Sequence, residues 1–92
     1  MFKTPWFDKA LIRSDEGFSL RWGRDWATYN ENERKLTFTI DVGGQGASIF
    51  VGSVTRWDDQ PFHPVEPETQ MRIVRNVQRA LEWKGFQVEL IP

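Results

Sequence analysis

Leu36, Phe38, Ile40 and Val42 alternate with Thr37, Thr39 and Asp41. A period of two held over that length puts the apolar side chains on one face of a β-strand. Such a strand needs a sheet around it and an apolar cover over that face. The cover is legible further on, where Ile73, Val74, Val77, Ala80 and Leu81 recur at i, i+1, i+4, i+7 and i+8. That spacing predicts a single apolar stripe along a helix of about four turns. Pro67 and Glu68 suit its start, where a proline loses no hydrogen bond and a carboxylate meets the helix dipole, and Lys84 and Gly85 suit its end.

Around this pair the remaining elements are shorter. Ala10-Leu11-Ile12-Arg13 and Phe18-Ser19-Leu20-Arg21-Trp22 flank the turn residues Ser14-Asp15-Glu16-Gly17 and predict a hairpin. A polar turn over Asn30-Glu31-Asn32-Glu33 leads into the alternating strand, and Gly43-Gly44-Gln45-Gly46 reverses the chain into Ala47-Ser48-Ile49-Phe50-Val51, which continues toward Val54. Phe86-Gln87-Val88-Glu89-Leu90 alternates again as a last strand. The expected fold is α+β: an antiparallel sheet of about five strands packed against one C-terminal amphipathic helix, about residues 67–84, followed by a final strand, all in a single domain spanning 1–92.

A chain of 92 residues without cysteine has no disulfide to support a small core. Five Trp, seven Phe and one Tyr can supply the apolar area instead. The amino terminus lacks the apolar run of a signal peptide, and no stretch reaches the roughly 20 apolar residues of a membrane span. The expectation is a cytoplasmic protein that neither enters nor crosses a membrane.

Catalytic, cofactor and metal chemistry find no support in the residue pattern. The glycine-rich run 43–46 leads into a strand, whereas phosphate-binding loops lead into a helix. His63 is the only histidine, there is no cysteine, and the acids Asp58, Asp59 and Glu66 lack the spacing of a calcium loop. No nucleophile motif accompanies the histidine, so an enzyme is not expected. Arg72, Arg75 and Arg79 line one side of the helix, with Glu68 and Glu82 spaced to pair with Arg72 and Arg79 as a solvated surface. Twelve basic against 13 acidic side chains, a net charge of −1, disfavours nucleic acid as the partner. The alternative that stays open is a small single-strand nucleic-acid module that stacks bases on exposed tryptophan. Oligomeric state is not legible.

What the pattern favours is a non-catalytic interaction domain. Two segments combine the Trp and Arg that anchor protein interfaces with loop placement: Arg24-Asp25-Trp26, and the proline-interrupted loop from Trp57 to Glu66. The residues nominated for partner contact are Arg24, Trp26, Trp57, Asp58, Asp59, His63 and Glu66. For Trp57 two readings remain open, a plug in the core between sheet and helix or an interface anchor. The loop's acids either meet a basic partner or only solvate it.

Ser53-Val54-Thr55-Arg56-Trp57-Asp58, a proline-containing loop, then Arg72-Ile73-Val74-Arg75-Asn76-Val77, Ala80-Leu81-Glu82 and Gly85-Phe86 before a closing strand resemble a group of small bacterial immunity proteins encoded beside polymorphic toxins. The resemblance covers about residues 48–92. It implies stoichiometric binding and neutralisation of a cognate protein toxin, without turnover. It carries no functional residue to particular positions here.

Overall fold

In the computed structural model, which describes residues 1–92, the alternating segment is the longest strand of a seven-stranded sheet. The strands are β1 (Phe2–Lys3), β2 (Leu11–Ser14), β3 (Phe18–Trp22), β4 (Trp26–Glu31), β5 (Arg34–Gly43), β6 (Gly46–Phe50) and β7 (Gln87–Ile91). They lie side by side in chain order. Between β6 and β7 come a 3-10 turn, Val51–Ser53, the loop 54–66 and the helix α1 (Pro67–Trp83). No helix is long and apolar enough to cross a membrane.

Two features of the expected fold need correction. The sheet has seven strands rather than about five, because β1 and β4 join it. It is also mixed rather than antiparallel: β1 to β6 pair antiparallel, but β7 runs parallel to β6. The physical reason is the connection. A tight hairpin forces its second strand to return, whereas a helical crossover carries the chain back to the starting end. β6 also stops short of Val54, since the chain turns through the 3-10 segment and buries Val54 completely.

The hairpins follow their turn chemistry. Asn32 and Glu33 have φ of 52° and 64°, the pair of positive values that a two-residue hairpin between Glu31 and Arg34 requires. The β5–β6 turn uses Gly44 at φ 58°. The helix begins with Pro67 in its first turn and gives way at Lys84 to Gly85, whose φ of 106° suits a residue without a Cβ.

All five residues of the predicted helical stripe are fully buried. They meet Ile12, Leu20, Tyr29, Leu36 and Ile40 from the inner face of the sheet in one continuous core. At roughly 1.5–3 kcal/mol for each large apolar side chain removed from water, this interface is the main source of stability in a chain without cross-links. The outer face of the sheet carries no helix. By the register of the ladders its central row reads Gly23, Trp26, Thr39, then Phe50 beside Ile91.

Candidate functional site

β5 is ten residues long, but β6 pairs only with its Ile40–Gly43 half. The other half, from Lys35 to Thr39, bonds β4 on one edge and would leave backbone groups unpaired on the other. The loop after the 3-10 turn fills that edge. Ser53 Oγ accepts from the Thr39 N–H at 2.9 Å, the Asp58 N–H donates to the Lys35 carbonyl at 2.7 Å, and the Asp58 carboxylate accepts from both the Thr37 N–H and its hydroxyl.

The same loop is cross-braced internally. Arg56 bridges to Pro64, the Val65 N–H donates to Thr55 O at 2.7 Å, and Arg56 donates to the Pro61 carbonyl. Gln60 and His63 donate their N–H groups to Trp57 O and Gln60 O, while Arg34 reaches the Gln60 side chain at 2.6 Å. Trp57 settles into the core at 7% exposure, with the Arg34 guanidinium 4.6 Å from its ring centre and the Tyr29 ring at 6.4 Å. Of the two readings left open for this residue, the structure selects the plug. From that base the loop projects Phe62, which is 88% exposed.

The seven nominated residues therefore divide. Trp57, His63 and Glu66 come together around an open cleft of about 420 Å³ with Arg34, Gln60 and Thr69. Asp59 stays exposed at the loop surface, 3.8 Å from Arg34. Asp58 is occupied as an edge cap and so is not a free charge. Arg24 and Trp26 lie in and beside the β3–β4 turn, apart from the cleft. The Arg24 carbonyl accepts from Val42, and the Trp26 indole lies against Gly23, where a Cβ would come within 3.2 Å of the ring. Trp26 pairs across from Thr39 at one edge of β5 while Asp58 holds Thr37 from the other, so one strand separates the two groups.

Sequence reasoning passed over the most exposed aromatics. Besides Phe62, Trp6 is 90% exposed and Phe7 stands next to it in an edge-on pair, in the connection between β1 and β2. The available signal was position: Trp6 and Phe62 each follow a proline and Phe7 follows Trp6, all outside any alternating or helical pattern.

The arginines of α1 are used differently from the local pairing expected. Arg72 donates to both carboxylate oxygens of Glu31 on β4 at 2.6 Å, and Arg79 grips Glu16 in the β2–β3 turn at 2.9 and 3.1 Å. Between them Asn76 donates to the Tyr29 hydroxyl, which itself donates to Glu31 at 2.6 Å. Desolvation acts to raise the Glu31 pKa, but the hydrogen bonds from Arg72 and Tyr29 and the nearby arginine charges outweigh it and hold the carboxyl below its ordinary range. Burial, reinforced by the bond to Glu31, pushes the Tyr29 phenol up. This relay fixes the helix on the sheet and uses two of the three arginines, leaving Arg75 unpaired.

No family model, no curated protein and no solved structure matches the chain.

Proposed function

We propose that this chain is a protein-binding module whose braced loop offers Phe62 to a partner, and that the partner is the cognate toxin of an immunity pair, met in the cytoplasm of the producing cell. The observation that carries the binding reading is Phe62 itself, 88% exposed on a loop tied to β5, to the core through Trp57, and to itself through the Arg56–Pro64 bridge. Exposing a large apolar ring has a cost, and holding it on a preorganised loop lowers the ordering entropy lost when a partner binds. Aromatic side chains are enriched at the buried centres of interfaces. Asp59, His63 and Glu66 are exposed on the same loop, and the two carboxylates favour basic partners.

The toxin assignment rests on the resemblance of residues 48–92 and adds a mechanism: one immunity protein occludes or locks one toxin. The test is co-expression of the tagged chain with the product of the neighbouring open reading frame. Co-elution as one complex, together with rescue of growth, supports the reading. A partner that elutes separately and is harmless to cells sinks the toxin assignment. Phe62→Ala should weaken the complex at least tenfold, and an unchanged affinity would remove the loop from the interface.

A further inference from the structure

The two ends of the sheet are not alike. β1 is two residues long, and a short edge strand is one of the ways proteins blunt an open edge. β7 is a five-residue edge, Gln87 to Ile91, with neither lysine nor proline within it. Gln87 donates its N–H to Gln45 O at 2.8 Å, so the alternation of a parallel strand turns Gln87, Glu89 and Ile91 toward β6. The N–H and C=O groups of Val88 and Leu90 therefore face away from the sheet, and the Leu90 side chain is exposed beside them. Adjacent to this edge on the outer face, the register aligns Asp41, Ser48 and Glu89 in one row and Gly43, Gly46 and Gln87 in the next. Together they border an open cleft of about 480 Å³. Its glycine side is bare, since a Cβ at Gly43 would meet nothing within 4 Å.

We infer that β7 is a docking edge for an extended basic segment of a protein partner, which adds as an eighth strand through Val88 and Leu90 and places a lysine or arginine beside Glu89 and the acidic cleft. The assignment rests on the reading of the chain as a protein-binding module and names the backbone that it offers. Charge selects this occupant over a second copy of the chain. Antiparallel pairing of two β7 strands that uses both outward residues on each copy is centred on Glu89, and it sets two carboxylates opposite each other. A basic residue at that position gains from Glu89 what a second copy would lose.

The test follows amide exchange and chemical shifts of the full chain with a short synthetic peptide alternating lysine and valine, against the same peptide with glutamate in place of lysine. The lysine peptide should slow exchange at Val88 and Leu90 and bind about tenfold more tightly than its glutamate counterpart, as expected for one favourable cross-strand charge pair exchanged for a repulsive one. Leu90→Pro, which removes an outward N–H and leaves the bonds to β6 intact, should abolish the protection. Glu89→Lys, which alters no backbone group, should reverse the peptide preference. Absence of protection at millimolar peptide overturns the docking edge, and equal binding of both peptides overturns its basic partner. Protection that grows with protein concentration alone assigns the edge to a second copy instead. Toxin co-elution with a silent edge would remove this inference only, whereas peptide docking without a toxin complex would remove the immunity reading and keep the edge.

Discussion

The Asp58 carboxylate accepts two hydrogen bonds from Thr37, one from its N–H at 3.0 Å and one from its hydroxyl at 2.9 Å. It thereby completes the edge of β5 that β6 is too short to cover, and it holds the aromatic-bearing loop at that edge. Asp58→Ala should therefore lower stability by about 1–2 kcal/mol, the range for losing hydrogen bonds to a charged acceptor at a partly solvated site. Urea denaturation of Asp58→Ala, Thr37→Val and the double variant measures the coupling. Thr37→Val removes only the hydroxyl donor, so strictly additive effects would show that the hydroxyl bond contributes nothing.

Trp57 and Phe62 belong to one loop but should respond oppositely to truncation. Trp57→Ala opens a cavity between β4, the loop and the core and should cost about 3–5 kcal/mol. Phe62→Ala, at a solvent-exposed ring, should leave the unfolding free energy within about 0.5 kcal/mol of the parent. A large loss at Phe62 would mean that the ring supports the fold, and its role as an offered contact would fail.

Glu31 and Tyr29 set opposite limbs of the pH profile. The Glu31 pKa is lowered on folding, so its contribution is present above its ordinary value of 4.5 and is lost as pH falls below that point. Tyr29 is raised, so its contribution is present below its ordinary value of 10.0 and is lost as pH rises past it. Urea midpoints measured across pH should show Glu31→Gln with a shallower acid limb and Tyr29→Phe with a shallower alkaline one. Limbs parallel to those of the parent would remove the relay as their origin.

Glu33 holds φ of 64° in the β4–β5 turn, a conformation that disfavours a residue with a Cβ. Glu33→Gly should stabilise the protein by about 0.5–1 kcal/mol, since relief of strain exceeds the added freedom of the unfolded chain. Thermal unfolding reads the change directly, and a lower melting temperature would show that Glu33 makes a compensating contact.

Parts of this fold were legible because their residues repeat at the period of the element they form. Leu36, Phe38 and Ile40, and Ile73, Val74, Val77, Ala80 and Leu81, are buried as their spacing requires, and Val42 is half-buried at the end of its strand. β4 was missed because its inward positions are Ala27, Tyr29 and Glu31, a small residue, a phenol and a carboxylate, which make no apolar alternation. Tyr29 and Glu31 face inward because Asn76 and Arg72 on the helix satisfy them, and those partners lie more than forty residues away. β1 is too short to carry any period.

The sequence by itself determined the elements with strong periodicity, the turns that need glycine, and the presence of two loops rich in contact-forming residues. Only the tertiary structure decided the direction of β7 and the tasks of the loop residues. Strand alternation is the same whichever way a strand runs, so the parallel pairing of β7 with β6 depends on where the helix returns the chain. An aspartate in a loop likewise looks the same whether it is free or occupied. Asp58 is occupied because a ten-residue strand outruns its five-residue neighbour, and the backbone left uncovered must find a partner.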